Sequence, residues 1–269
     1  MMVFRKVSRL AAMICALMMM TPTTALANGF DAQLFQVWLQ TRTGGMGASP
    51  VYWYSTGEIT EFPTGKVLAK VEGFDSARLV PDPDYPGGFI QLSRKVYIYR
   101  DVQTGELLRE LNGVPLEPIL FDYQQIHYRL NGDRLQTISV VGTGERVSVT
   151  GPHEVISARW IGDIANFTVP VYRDRPLPGG QRLQSFETYD FFVLPEASGA
   201  AYKNLVSFAS SVPTPPALGA GTSYLHQAGW RYESFDDLPA SIRDFVVQEQ
   251  PRWKAPPLDL AEIKALQGR

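Results

Sequence analysis

Two charged side chains sit on strand-like faces that are otherwise apolar, and they are the first places to look for chemistry. Over residues 183–194 the alternate positions Leu183, Ser185, Glu187, Tyr189, Phe191 and Val193 share a side, which makes Glu187 the acid of an apolar face. Over residues 89–100, Leu92, Arg94, Val96 and Ile98 share a side, which makes Arg94 its base. A charge taken out of water is costly unless it is paired, so each needs a partner. Two accounts stay open. In one, Glu187 and Arg94 meet each other or other charges and only hold the fold. In the other they stand in a pocket, where Arg94 grips a ligand carboxylate with two parallel N–H bonds. Glu187, its pKa raised by apolar neighbours, would there accept a proton.

His226 follows Tyr224 by two and so shares its side. It reads either as a core or rim histidine or as the proton-shuttle partner of Glu187. Arg78 is a second candidate anion anchor, or else a solvated arginine at a strand end. Tyr52, Tyr54, Tyr97 and Tyr99 alternate in two strands. Tyrosines with buried rings and reachable hydroxyls suit a flat ligand, and they equally suit sheet packing. His127, flanked by Ile126 and Tyr128, is expected to face water, and His153 to lie in a turn after Pro152.

Other chemistries lack their residues. There is no G-x-S-x-G elbow, no phosphate loop with its lysine, and no glycine fingerprint between a strand and a helix. The three histidines are isolated, so no metal site is expected. The Asp82, Asp84 turn reads as a solvated acidic loop rather than a calcium loop. No cofactor is expected. Twenty-five basic against 27 acidic residues, with no dense basic patch among the aromatics, speaks against nucleic-acid binding.

The elements that must position these groups are mostly strands. Residues 51–54, 66–71, 89–100, 125–130, 135–141, 146–150, 155–160, 167–172 and 183–194 alternate with period two and are rich in Val, Ile, Tyr, Phe and Thr. Turn chemistry joins them: Thr104-Gly105, Gly142-Thr143-Gly144, Pro178-Gly179-Gly180 and, most strongly, Asn131-Gly132, expected as a hairpin whose two central residues both need positive φ. The expected fold class is mainly β, an antiparallel meander closing into a barrel or a sandwich, with short N- and C-terminal helices. Asp31 is placed to cap the first helix, with Phe30, Leu34, Val37 and Trp38 at helical spacing. Pro239 opens a later helix bearing Ile242, Phe245 and Val246, which Pro251 stops. Asp259 and Glu262 look like a capping pair for a last one. Residues 212–221, rich in Pro and Gly, are expected to cross the surface or a barrel mouth.

Residues 1–27 read as a cleaved secretory leader. Arg5, Lys6 and Arg9 form a basic start, residues 10–20 carry no charge, and Ala25-Leu26-Ala27 is a small-x-small cleavage site. The apolar run is about half a membrane span, so no stable membrane insertion is expected after cleavage. Of 269 residues 242 would remain, with a net charge of −5 and without Cys15, the one cysteine, so no disulfide is available. The expected division is a helix and Gly-rich connector over 28–50, a single β-rich domain over 51–257 and a short helix over 258–269, in a periplasmic or secreted protein.

Several short segments come in a characteristic order: Tyr52-Trp53-Tyr54-Ser55-Thr56-Gly57, Glu72-Gly73-Phe74, Leu92-Ser93-Arg94-Lys95-Val96, Tyr224-Leu225-His226-Gln227-Ala228-Gly229 and Phe235-Asp236-Asp237-Leu238-Pro239. Together they resemble the bacterial family named domain of unknown function 1838, from about residue 51 to 257. The resemblance implies kinship without a reaction. The chain departs from the pattern at Phe208, where a tryptophan is expected. The functional expectation is a binding protein for a small apolar or aromatic acid held in a β-barrel pocket. The alternatives are a cofactor-independent lyase, decarboxylase or isomerase using Glu187 and His226, and a structural or interaction domain of the cell envelope.

Overall fold

The structure, a computed structural model, describes residues 29–143, 146–153, 156–176, 182–194 and 204–268. The expected leader, Gly144, the Pro178-Gly179-Gly180 turn and the His153 side chain lie outside the described residues.

Helix α1 spans Ala32–Thr43. Among the described residues thirteen strands follow: β1 Val51–Glu61, β2 Val67–Pro81, β3 Phe89–Arg100, β4 Glu110–Leu111, β5 Val114–Pro115, β6 Ile119–Asn131, β7 Arg134–Thr143, β8 Arg146–His153, β9 Ser157–Ile161, β10 Ile164–Pro176, β11 Arg182–Val193, β12 Asn204–Pro213 and β13 Thr222–Tyr232. Helices α2, Ala240–Glu249, and α3, Leu260–Gln267, close the chain. Eleven strands form one antiparallel sheet in the order β8-β7-β6-β3-β2-β1-β13-β12-β11-β10-β9, and β4 and β5 form a separate hairpin. The protein is mainly β, and the sheet curls into a half-barrel.

Chain connectivity makes the curl unavoidable. The two edge strands, β8 and β9, are neighbours in sequence, with His153 ending one and Ser157 starting the other. Four residues reach at most about 14 Å. Eleven strands laid flat at ~4.8 Å spacing would be about 48 Å wide. Glycines ease the bend at its centre. Gly73 of β2 and Gly229 of β13 flank Ser55 of β1. A Cβ on Gly73 would lie 2.1 Å from the Val96 carbonyl oxygen, and one on Gly229 would lie 1.9 Å from that of Tyr54. Only glycine allows the strands to coil this tightly.

Helix α1 lies inside the curl. Phe30, Leu34, Phe35, Val37, Trp38 and Leu39 pack with Trp53 of β1, Ala77 and Leu79 of β2, Tyr128 of β6, Phe167 of β10 and Phe191 of β11. The Trp38 ring stands 5.1 Å from Phe167, 5.4 Å from Phe191 and 5.9 Å from Tyr128. Asp31 caps the helix as expected, accepting from Leu34 N at 2.7 Å, and Gly44 ends it in the left-handed region. Arg231 of β13 donates to the carbonyls of Gln40 and Thr41, which satisfies the last turn. The opposite end of the curl is covered by Leu116 and by the 214–221 loop, whose Ala217 and Leu218 pack on Ile59, Ala69, Val71 and Tyr99. The expected 212–221 loop is thus shorter, because β12 runs on to Pro213, and its remainder covers this end of the half-barrel.

The outer face of β1 to β3 is also covered. Helix α2 lays Ile242, Phe245 and Val246 against Tyr52, Tyr54, Phe74, Val96 and Ile98. Helix α3 lays Ile263 against Ile90, Leu92 and Tyr123. Its expected cap forms, with Asp259 accepting from Glu262 N at 2.9 Å. One turn differs from expectation. Asn131 pairs with Arg134, so the β6–β7 hairpin is centred on Gly132-Asp133, and of these residues only Gly132 has positive φ. Two adjacent positive φ values occur instead at Asn112-Gly113, between β4 and β5. Among the described residues, no helix is long and apolar enough to cross a membrane.

Candidate functional site

The curl gathers polar side chains of distant strands into a tier just beyond the end of α1. Odd-numbered residues of β1, β2, β3, β11 and β13 point inward, because Trp53, Ala77 and Phe191 all meet α1. Inward positions are therefore Ser55 of β1, Asp75 of β2, Lys95, Tyr97 and Tyr99 of β3, Glu187 and Tyr189 of β11 and Gln227 of β13. The pairing Glu187↔Ser210 adds Ser210 of β12.

Asp75 is the centre of this tier. Its Oδ2 lies 3.3 Å from Arg42 NH2 and 3.8 Å from Lys95 Nζ. Arg42 leaves the last turn of α1 and lies over the Phe191, Trp53 and Trp38 rings, 4.7, 5.6 and 5.9 Å from their centroids. Burial works against its charge, but Tyr128 and Asp75 outweigh burial and raise its pKa. Lys95 Nζ stands 5.5 Å from the Phe121 ring and 5.8 Å from the Tyr189 ring. β3 and β11 are five places apart in the sheet, about 24 Å along it. Lys95 thus reaches across the interior to the facing wall. There Tyr189 packs on Phe208 at 4.6 Å, and its hydroxyl points to Glu187 Oε2 at 3.4 Å. On the near wall Tyr97 Oη is 3.3 Å from Ser55 Oγ. Burial, opposed by the Ser55 bond, pushes the Tyr97 phenol up to about 12.

Five buried polar atoms on this inner face find no hydrogen-bond partner among the described residues: Asp75 Oδ1, Gln124 Oε1, Gln227 Nε2, Ser210 Oγ and Trp53 Nε1. Three of the five can donate. A buried polar group without a partner costs about 1–3 kcal/mol, so each asks for a partner beyond the described residues.

The residues singled out by the sequence do not converge. Glu187 is buried on the inner face, 7% exposed, and Tyr97 and Tyr99 are inward as well. Arg94 is buried too, 3% exposed, but on the outer face. Its Nε donates to the Asp122 carbonyl at 2.9 Å, its NH1 to those of Ala255 at 2.9 Å and Arg252 at 3.3 Å, and its NH2 pairs with Glu262. These bonds tie the C-terminal segment to the sheet, so Arg94 neither meets Glu187 nor presents a fork to a ligand. His226 is exposed on the outer face, opposite in the sheet to Glu187, so the expected proton shuttle between them has no path. Tyr52 and Tyr54 also point outward, under α2. Tyr52 donates to the Lys254 carbonyl at 2.8 Å and Tyr54 to Glu72 at 3.2 Å. Arg78 shares their face, next to Tyr52, whose pKa burial raises and Arg78 lowers. The expected four-tyrosine lining is therefore two pairs on opposite faces.

Asp82 corrects two further expectations. It is buried rather than solvated, and it accepts from His127 Nδ1 at 3.0 Å and Asp84 N at 3.0 Å, with Arg129 NH2 at 3.6 Å. His127 thus turns to a carboxylate rather than to water. Burial opposes the Asp82 charge, but these partners hold its pKa below the ordinary value. Among the described residues no cluster of His, Cys, Asp and Glu is arranged to hold a metal ion.

Sequence reasoning missed Arg42, Asp75, Lys95, Ser210 and Gln227. Lys95 and Asp75 carried a signal, since each is a charge inside a strand. The signal was misassigned because β3 is buried on both faces and Arg94 stands next to Lys95. Compared with family models, with curated proteins and with solved structures, the chain matches none.

Proposed function

We propose that the half-barrel holds a small aromatic or apolar acid on its inner face, and that the protein is a binding protein rather than an enzyme. The single observation that carries this reading is the set of buried donors on Gln227, Ser210 and Trp53 that find no partner among the described residues, on the same inner face as the Lys95 ammonium. Donors in excess suit a ligand rich in acceptors, and a carboxylate is the simplest one. The Tyr97, Tyr189, Phe208 and Phe121 rings suit a flat apolar body. Lys95 takes over the anchoring role expected of Arg94. The acid–base reading is not carried forward, because Glu187 and His226 stand on opposite faces of the sheet. In the proposed setting the chain is exported by its N-terminal leader and acts in the periplasm or outside the cell. The proposed kinship with domain of unknown function 1838 supplies no chemistry of its own.

The test is titration of the purified protein with benzoate, cinnamate and indole-3-acetate, followed by calorimetry and by thermal melting. At least one should bind saturably and raise the melting temperature by mass action. Lys95→Met and Gln227→Leu should each weaken that binding about tenfold or more, since each removes a buried polar contact. Binding of none of these acids, or equal binding by Lys95→Met, overturns the proposal.

A further inference from the structure

The inner site leaves His226 unused, although the sequence singles it out with Tyr224. Both point outward from β13, and their rings are stacked, 6.4 Å apart and 5° from parallel. Tyr224 is 44% exposed, so its ring is open to a ligand from solvent. The pair forms one wall of a shallow, open groove, lined further by Thr56, Glu58, Thr60 and Lys70.

The register explains the groove's composition. Lys70 of β2, Glu58 of β1 and His226 of β13 are direct cross-strand neighbours in one row. Thr60 is opposite Tyr224 in the next row, and Thr56 stands two residues before Glu58. Ser207 of β12 brings its hydroxyl to 3.5 Å from His226 Nε2. One acid and one base balance each other, and the rest are hydroxyls, an imidazole and an exposed ring. A surface like this has no net field to attract an ion. The Tyr224–His226 pair is itself set among polar groups, with Thr60 and Ser211 across from Tyr224 and Glu58 and Ser207 beside His226. What it matches is a molecule with an apolar C–H face and a rim of hydroxyls. A pyranose has that form: its face lies on an aromatic ring while its edge hydroxyls exchange bonds with carboxylate, ammonium and hydroxyl groups. On the same outer face, two strands along from β13, Phe186 is 41% exposed and packs 5.1 Å from Tyr172. Strand spacing sets these two ring stations about 10 Å apart, the length of a disaccharide.

We propose that the outer groove at Tyr224 and His226 binds a neutral glycan, with the stacked rings as its platform and Glu58, Lys70 and Thr56 as its edge partners. It is a site separate from the inner tier, and it binds without cleaving. The test uses the full purified protein and neutral probes: malto-, cello-, xylo- and N-acetylchito-hexaose, each titrated by calorimetry. At least one should bind. Tyr224→Ala should weaken it about tenfold, Glu58→Gln should weaken it measurably, and Tyr224→Phe should retain it. Lys95→Met, on the other side of the sheet, should leave it unchanged. Because Tyr224 is exposed, Tyr224→Ala should melt with the wild type, so loss of binding is not loss of fold. The proposal is overturned if none of the four probes binds, or if Tyr224→Ala binds like the wild type. It is also overturned if sedimentation shows a wild-type dimer that Tyr224→Ala dissociates, since a second copy would then be the groove's occupant.

Discussion

Replacing Arg94 by methionine should destabilise the protein and leave acid binding intact. Arg94 is 3% exposed, and three of its hydrogen bonds run to the main-chain carbonyls of Asp122, Arg252 and Ala255. Methionine keeps the apolar stem and removes every donor. Each orphaned buried acceptor costs about 1–3 kcal/mol. The sum is not additive, because the 252–262 segment can shift its carbonyls toward water. Breaking a buried ion pair from one side costs about 3–5 kcal/mol, and that is the loss expected here. For a domain of this size it corresponds to a fall in melting temperature of roughly 6–20 °C. Glu262→Gln should cost much less, about 1 kcal/mol, because the Glu262 side chain is 36% exposed and water screens the pair. Urea denaturation gives both numbers. Hydrogen exchange gives the location, with protection lost first over residues 252–268. A loss below about 1 kcal/mol for Arg94→Met, or unchanged protection of that segment, would refute the tether. Weakened acid binding by a variant that still folds would return Arg94 to the ligand site.

Three other outcomes follow from the structure. Gly73→Ala places a Cβ 2.1 Å from the Val96 carbonyl oxygen, a backbone atom that cannot step aside, and should cost about 2–3 kcal/mol by urea melt. Asp82 and Glu262 both have pKa values held below the ordinary range, so their contribution is complete above about pH 4 and is lost as pH falls through their lower folded values; stability measured from pH 7 to pH 2.5 should drop only at the acid end, and Asp82→Asn should flatten that drop. The paired change Arg42→Met with Asp75→Leu should leave stability unchanged or higher by calorimetry, while binding of the inner-site acid is lost.

Much of the architecture was legible because it rests on local patterns. The Asp31 and Asp259 caps, the Pro239 and Pro251 boundaries and nine alternating segments all correspond to elements of the fold. β12 and β13 were not recognised, and they are the strands that join β11 to β1. Their inward faces explain the miss. Ser210, Gln227 and Gly229 stand where an alternating strand would carry Val or Ile, so the apolar period is erased at the places that line the interior. The same small and polar residues that hide the strands make the candidate site. The turn at Asn131-Gly132 was displaced by one residue for a related reason: the dipeptide marks a hairpin, but the cross-strand pairing of Asn131 with Arg134 decides which residues are central.

The candidate site was less legible, and the cause is the covering of both sheet faces. A charge on an apolar face reveals a pocket only when the other face is wet. In β3 the even positions pack under the C-terminal helices and the odd positions face the interior, so Arg94 and Lys95 both read as charges among hydrophobes. Parity separates them but does not say which side is inside. The deciding residue is remote: α1 fills one end of the interior and thereby fixes which face is inner. Arg42 is the consequence. A methionine at that point would pack on Trp38, Trp53 and Phe191 without any charge to desolvate. Buried ion pairs are seldom better than such packing for stability alone. Yet Arg42 and Lys95 share one oxygen of Asp75, Oδ2, and leave Oδ1 without a partner among the described residues. The arrangement makes most sense as positioning: the guanidinium fixes the carboxylate, and the carboxylate in turn holds the lysine on the inner face.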